Sequence, residues 1–409
     1  MRLAIIGGGP AGFFGAITAA QKRPSEIVLF EASQQVLSKV RISGGGRCNV
    51  THSCFDPAEL VKNYPRGFKE LRGAFSRFQP RDTIAWFKKR GVILKAEEDG
   101  RMFPATDDSE TIVDCLVESA RGAGIEVRTK SRITGAKIID FEKGRRRFEL
   151  SIGRENRGSF DRLLLATGSN ERGYEIARLM GHEIMAPVPS LFTFEIPDKR
   201  LEGLSGLSFK ALQLVLKVGE KRLKQVGPML ITHWGLSGPA VLKLSAWGAR
   251  WLHESNYQAN LTINFIPERT KEQISHTFQS YRRKHGRKEV GGESPFPVPR
   301  RYWQRLVQMS GIPKEQKWSN LTREAESYLL GQLTNAEFAI TGKGIFKDEF
   351  VTCGGVSLKG IDFKSMQSRI VPGLFMAGEI LDIDGITGGF NFQSAWTTGW
   401  LAGKAMAGS

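Results

Sequence analysis

Residues 1–31 leave few folds open to this chain. Leu3-Ala4-Ile5-Ile6 is a short apolar run and reads as a buried strand. Gly7-Gly8-Gly9-Pro10-Ala11-Gly12 follows, then Phe13 to Gln21, which is rich in helix formers, then a second apolar run, Ile27-Val28-Leu29-Phe30, that ends at Glu31. Strand, glycine turn, helix, strand and acid in that order make the Gly-x-Gly-x-x-Gly dinucleotide fingerprint. Gly7 allows the tight turn, Gly9 lets the main chain approach a pyrophosphate, and Gly12 lets helix and strand pack closely. The helix N-terminus turns free N–H groups and a partial positive charge toward the phosphates. Glu31 can accept hydrogen bonds from an adenosine ribose. The fingerprint alone suits FAD and NAD equally.

A chain of 409 residues can hold two or three domains around a large core. The first apolar run is too short for the apolar part of a signal peptide and stops at glycines, and no apolar stretch approaches the ~20 residues of a transmembrane helix. The four cysteines, Cys48, Cys54, Cys115 and Cys353, form no Cys-x-x-Cys pair and no metal-ligand cluster with the six histidines. A reduced, cytoplasmic setting without a metal or a membrane is therefore expected. The net charge of +17, with a pI near 9.8, suggests a polyanionic partner; an inert basic surface is the alternative.

Ser38 to Thr51 holds Arg41, the triplet Gly44-Gly45-Gly46, and then Arg47-Cys48-Asn49. It reads as an irregular loop whose N–H groups, with Arg41 and Arg47, meet an anion or a flat ring, Asn49 bonding the ring edge. Asp82 to Arg90 is predicted to be a short helix stopped by Gly91. Another, capped by Asp108-Ser109, carries Ile112, Val113, Leu116, Val117 and Ala120 at helical spacing, with Cys115 in its core-facing stretch. Strands are expected at Ile125–Thr129, Ile133–Asp140 and Arg146–Ile152, the last two joined by a turn at Lys143-Gly144. Leu163-Leu164-Leu165 then leads into Ala166-Thr167-Gly168. This layout resembles the glutathione-reductase-like FAD domain, in which the Ala-Thr-Gly turn returns the chain beneath the cofactor.

Near residue 190 the character changes. Residues 190–330 read as an inserted β-rich domain, with strands at Leu191–Ile196, Leu212–Val218 and Leu261–Ile266 and helices near 268–280, 300–312 and 320–333. Lys and Arg outnumber Asp and Glu there by 22 to 12, a net +10. Arg282, Arg283, Lys284, Arg287 and Lys288, on what reads as a loop or tip, are the candidate phosphate contacts. In Thr232-His233-Trp234-Gly235-Leu236-Ser237-Gly238-Pro239, Ser237 is a plausible helix cap and His233 a candidate proton donor. Residues 1–189 and 331–409 would then form the two parts of the nucleotide domain. Its second part has a strand ending Ala377-Gly378-Glu379, then Asp384 and Gly388-Gly389-Phe390-Asn391, opening a final helix whose positive end can face a flavin.

With Arg41 to Asn49, Thr232 to Pro239 and Gly378 to Asn391 together, the sequence resembles the BaiN/RdsA (YhiN-like) flavoprotein family over nearly its whole length. The resemblance implies an α/β fold: a two-part Rossmann-like FAD-binding domain, an inserted barrel-like β domain and a small helical part. It implies that Gly9, Glu31, Arg41, Gly46, Cys48, Asn49, Gly378, Asp384, Gly389 and Asn391 lie on FAD. Gly7, Pro10, Ala11, Gly12, Ala32, Lys39, Arg47, Ile133, Thr167, Gly168, Glu379, Gly388 and Phe390 complete the expected cofactor set. The implied chemistry is reduction of a conjugated C=C bond, in a uridine of large-subunit ribosomal RNA or in a steroid-like enone, or else amine oxidation. No second Gly-x-Gly-x-x-Gly is present, so NAD(P)H would dock transiently as electron donor. Cys48, His233 or a water is the candidate acid.

Overall fold

The computed structural model describes residues 1–22, 24, 26–141, 145–344 and 351–408. The expected turn at Lys143-Gly144 lies outside them. The chain forms two compact units, Met1–Val188 with Val351–Ser409, and Pro189–Phe350.

The first unit is built on a largely parallel sheet. Strand β1 (Arg2–Ile6), helix α1 (Pro10–Ala20) and strand β2 (Glu26–Phe30) are the first βαβ unit. The sheet runs, in spatial order, Glu126–Arg128, β2, β1, Arg162–Leu165 and Leu374–Met376, all parallel, followed by two short antiparallel strands, Gln367–Ser368 and Ile361–Asp362. Leu3, Ala4, Ile5, Val28, Leu29, Leu163, Leu164 and Leu165 are wholly buried. A sheet covered on both faces needs apolar residues on both, which is why these strands read as continuous apolar runs rather than alternating ones.

Helix α1 lies against the C-terminal helix, Phe390–Ala407. A Cβ on Gly399 would stand 2.6 Å from the Ala11 carbonyl oxygen, and one on Gly403 would stand 2.2 Å from that of Gly15. Contacts that step by four in the same sense on both helices mean that the two run parallel, almost backbone to backbone.

Local expectations fared unevenly in this unit. The Asp82 helix forms as Pro80–Lys88, and Gly91 follows in the left-handed region (φ +83°). The Asp108-Ser109 helix is Glu110–Gly122; the Asp108 carboxylate takes the Glu110 N–H at 2.9 Å, while the Ser109 hydroxyl turns to the Arg41 carbonyl. The meander is Gly135–Phe141, Arg145–Ile152 and a further strand that sequence did not suggest, Glu155–Phe160. The glycine-rich loop is not wholly irregular: Ser38 to Ile42 is helical, and the helix breaks where Ser43 extends (ψ 148°) and Gly44 and Gly45 take positive φ.

The second unit is an antiparallel sheet with helices. Its order is Ala336–Ile340, Ala259–Asn264, Ser208–Val218, Lys221–Ile231, Gly235–Ser237, Phe194–Glu195 and Gly342–Lys343. The outermost strands, Ala336–Ile340 and Gly342–Lys343, are separated in the chain by Thr341 alone. Successive Cα atoms are only ~3.8 Å apart, so the sheet has to curl until its two edges meet. The expected barrel-like form is thus imposed by connectivity. The strand Ala336–Ile340 pairs with Ala259–Asn264, which carries this sheet past the boundary at 330 expected from sequence.

Most of the long hairpin partner, Lys221–Ile231, was hidden in the sequence by its Lys, Arg, Gly and Pro content. It pairs with Ser208–Val218 across the two-residue turn Gly219-Glu220. Ser237 ends a strand and does not cap: Gly238 precedes the helix Pro239–Trp247 with no side-chain cap. The remaining α-helices described in this unit are Ala249–Glu254, Lys271–His285, Arg300–Met309 and Arg323–Thr334. No helix among the described residues is long and apolar enough to cross a membrane.

Candidate active site

Four parallel strands end level. Phe30, Ile6, Leu165 and Met376 are in register, so Glu31, the Gly7 turn, the Ala166 turn and the Ala377 turn form one row at the carboxyl edge of the sheet. That edge is where open α/β sheets bind ligands.

The Gly7 turn is tight. The Gly7 N–H donates to the Phe30 carbonyl at 2.8 Å, and at φ +116° a Cβ there would strike the Ala166 carbonyl at 2.2 Å. A Cβ on Gly12 would lie 2.0 Å from the Gly7 oxygen. Gly9, which precedes α1, has nothing within 4 Å of a Cβ position. Of the three fingerprint glycines, two are required by packing and one faces open space, where the main chain can meet a ligand. Pro10 stands at the first helical position, and the first-turn N–H groups, including those of Ala11 and Gly12, have no intrahelical acceptor.

Glu31 accepts from the Gly8 N–H (2.8 Å) and from the Ser33 N–H and hydroxyl (2.8 Å each). A carboxylate has about four lone-pair sites, so capacity remains for a ribose hydroxyl. Ala32 beside it is exposed. Ile133 is buried just beyond Ser131, whose N–H meets the Glu31 carbonyl at 2.8 Å.

The C-terminal helix brings a second N-terminus to the same side. Gly399 faces Ala11, so its first residue lies eight positions further from that contact than the first residue of α1. At ~1.5 Å per residue the two N-termini are offset by about 12 Å along a shared direction. Two sets of free N–H groups, staggered in this way, suit an extended ligand with acceptor groups at both places.

The residues around the second N-terminus form a connected frame. With its amide turned so that the nitrogen faces the Thr51 carbonyl, the orientation its neighbours require, the Asn49 side chain donates to that carbonyl and accepts from the Gly389 N–H, each at 3.0 Å. A Cβ on Gly389 (φ +87°) would lie 2.5 Å from the Thr51 oxygen. The Asn391 amide makes two bonds to Gly385, at 2.8 and 2.9 Å. Phe390 stacks on His52 with centroids 4.7 Å apart, and its carbonyl accepts from Tyr64 at 2.7 Å. Tyr64 is wholly buried, and burial holds its phenol protonated well above the ordinary range. Beneath, the buried Gln393 carbonyl accepts from Thr51 (2.6 Å) and Thr83 (3.0 Å). Sequence reasoning missed His52, Tyr64, Arg66 and Gln393, which lie outside any glycine motif; only His52, directly after the Ser38–Thr51 loop, offered a signal.

Several expected ligands are engaged within the protein. Arg41 bonds Glu110 at 2.7 Å and also the Val36 carbonyl. Arg47 bonds Glu97 at 2.7 Å and lies over the Phe103 ring at 4.1 Å. Asp384 has no exposed surface and forms a two-pronged ion pair with Arg66. These three side chains brace the frame; Gly45 and Gly46, with open space above them, are the part of that loop left to meet a ligand. Lys39 reaches across the row of strand ends to pair with Glu379, whose other oxygen accepts from the Thr352 N–H at 3.1 Å. A Cβ on Gly168 would lie 3.8 Å from the Glu379 carboxylate, and one on Gly378 would lie 2.8 Å from the Ala11 side chain. Thr167 packs beneath Gly173. Gly388, in the positive-φ region (+130°), leaves room for the Phe390 ring.

Burial argues against Cys48 as the acid. Cys48 is wholly buried, at φ +62°, and burial pushes its thiol up to about 12; its surroundings make it a core residue. His233 is exposed and belongs to the second unit. Of the basic cluster, Arg282 bonds Glu326 (2.8 Å) and the Leu321 carbonyl (3.0 Å) and holds the fold together, whereas Arg283, Lys284, Arg287 and Lys288 are exposed. Among the described residues no three His, Cys, Asp or Glu side chains gather as a metal site would require.

The open Gly9 position, the Glu31 acceptor and the two staggered helix ends fit FAD. The family model described as the HI0933-like protein Rossmann domain matches residues 1–405. The chain is 27% identical to a 3-dehydro-bile acid delta(4,6)-reductase of Clostridium scindens, over 99% of both chains. It is 28% identical to a ribosomal RNA dihydrouridine synthase of Escherichia coli, covering 98% of this chain and 97% of that one. Another protein of that name, from Haemophilus influenzae, is 29% identical over 98% of each. Among solved structures, the fold is shared with a 3-ketosteroid delta1-dehydrogenase of Sterolibacterium denitrificans (TM-score 0.52, 10% identity, 99% of both chains).

Proposed function

We propose that this chain, which belongs to the HI0933-like family, reduces the C5=C6 bond of a uridine in large-subunit ribosomal RNA, with NAD(P)H as electron donor, in the cytoplasm. The enzyme is an FAD-dependent oxidoreductase. Bound FAD supplies the redox chemistry: two electrons and a hydrogen pass from the donor to C6, and a proton is added at C5, so that uridine, NAD(P)H and a proton become dihydrouridine and NAD(P)+.

The chain's own residues bind and orient. The α1 N-terminus and Gly9 receive the pyrophosphate, Glu31 the ribose, and the Asn49–Gly389 clamp sets the end of the C-terminal helix against the ring edge. That helix end favours negative charge on the ring. With Cys48 buried and its thiol raised, the proton at C5 comes from solvent.

The observation that carries the RNA reading is the concentration of charge. The stretch 190–330 has 22 Lys and Arg against 12 Asp and Glu, and its exposed cations are of no use to a small apolar substrate. The two end-to-end relatives named for ribosomal RNA support it. The bile-acid relative, matched over equal length, supports a second reading, a small-molecule enone reductase. Mass spectrometry of nucleosides from large-subunit rRNA, in cells with and without the gene, separates them. Loss of dihydrouridine on deletion, restored by wild type and not by Gly9→Val, is the expected result. An unchanged nucleoside profile would refute the RNA reading and turn attention to enones.

A further inference from the structure

We infer that the second unit holds one nucleotide of a single-stranded RNA segment in a groove between the end of helix Lys271–His285 and the loop that follows it. The inference rests on the RNA reading above and adds a specific site to it.

The groove has a volume of about 810 Å³ and is lined by Tyr281, Arg287, Lys288, Phe296, Val298 and Arg300, among others. Its chemistry is divided. Phe296 and Val298 are 5% and 8% exposed and supply an apolar floor. Tyr281 is half-buried, set edge-on against Trp318 (5.0 Å, 62°) and tilted on His285 (4.5 Å). Arg287, Lys288 and Arg300 are exposed at the rim. An apolar and aromatic floor under a cationic rim is the arrangement that takes a base on its face and its phosphate at the edge. A phosphate alone would need no aromatic floor, and an apolar small molecule would need no cations.

Two carboxylates, Glu289 and Glu293, also line the groove, the second only loosely paired with Lys288 at 4.0 Å. They disfavour a second phosphate on their side and can accept from a base N–H, so they fix which way the nucleotide lies.

The groove is preformed. The Trp303 indole N–H donates to the Val290 carbonyl (2.7 Å), and the main-chain N–H groups of Trp318 and Ser319 donate to the Lys288 and Gly286 carbonyls (3.0 Å each). The segment that sequence presents as a loose basic tip is therefore the last turn of a helix, which carries Arg282, Arg283 and Lys284, followed by a loop tied down by the Trp303 side chain and the Trp318 main chain, and little ordering entropy remains to oppose binding.

The test is fluorescence anisotropy of a labelled, uridine-rich single-stranded RNA oligonucleotide with the FAD-loaded protein, across a salt series. Tyr281→Leu is expected to weaken binding about 5- to 160-fold, the range for losing one stacked base, and Tyr281→Phe to retain it. Arg287→Ala/Lys288→Ala is expected to flatten the log–log salt slope by about 0.7 for each phosphate left unneutralised. The charge-matched pair Arg222→Ala/Lys224→Ala, on an exposed strand elsewhere, is the control. Wild-type affinity and slope in the Tyr281→Leu and Arg287/Lys288 proteins would overturn the groove and leave the RNA reading standing. Equal flattening by the control pair would reduce the effect to overall charge and also overturn the groove. Absence of salt-sensitive binding by wild type would overturn both together.

Discussion

Gly403 of the C-terminal helix faces Gly15 of α1 so closely that a Cβ at 403 would lie 2.2 Å from the Gly15 carbonyl oxygen. The obstacle is backbone, which cannot swing aside. The contact, with that of Gly399 on Ala11, fixes the offset of the two helix ends proposed to hold the cofactor.

Gly→Ala in a helix interior ordinarily stabilises by about 1 kcal/mol. Here overpacking, which costs about 1–3 kcal/mol or more, wins, so Gly403→Ala should lower the melting temperature of the FAD-free protein and weaken FAD together. Gly9→Ala should behave differently: its surroundings are open and its φ is −91°. The FAD-free melting temperature should be unchanged while the FAD dissociation constant rises. Thermal melts and flavin titration of both variants check this; equal loss of stability in the two would refute it.

Arg66 and Asp384 are 15% and 0% exposed at their side chains. Removing one partner of such a buried pair costs about 3–5 kcal/mol. Arg66→Met should show that loss in urea unfolding, and Arg66→Met/Asp384→Leu should recover much of it. A single variant as stable as wild type would show that the pair is dispensable.

Cys48, Cys115 and Cys353 are buried, and Cys54 is partly exposed. Burial pushes the thiols of Cys48 and Cys115 up to about 12 and about 11, so neither offers appreciable thiolate near neutrality. Native protein at pH 8 should react with a thiol reagent quickly at Cys54 alone, and at all four residues once unfolded. Because the folded value for Cys48 lies above the unfolded one, near 9, its contribution to stability is lost as pH rises from about 9 toward 12. Rapid native labelling of Cys48 would contradict this placement.

The hydrogen bond from Arg2, aided by its charge, holds the Glu26 carboxyl below its ordinary 4.5 despite partial burial. A lowered carboxylate stabilises the fold above its unfolded value, and that contribution disappears as pH falls through the folded one. Acid unfolding of wild type should therefore show a stability loss below pH 4.5 that Arg2→Met lacks. Both side chains are about a third exposed, so added salt should shrink the difference. Identical acid limbs would rule the pair out as a source of acid sensitivity.

What could be read from sequence was what depends on neighbours along the chain. The βαβ fingerprint, the helices at Pro80 and Glu110, the Ala-Thr-Gly turn and the final helix N-terminus all rest on local propensity, capping and glycine chemistry, which a few consecutive residues specify. The strand Lys221–Ile231 escaped because its character comes from the register with Ser208–Val218, and its exposed positions carry the Lys and Arg of a solvent-facing hairpin.

The roles of charged side chains were decided only by the tertiary structure. Arg41, Arg47, Asp384 and Arg282 look like ligands in a string of letters, yet each meets an oppositely charged group 44 to 318 residues away in the chain. Ion pairing depends on distance in space, and sequence carries no record of that distance until the sheet places its strand ends side by side. The same holds for Gly15 and Gly403: each letter permits close approach, and only the packing of two distant helices makes it necessary.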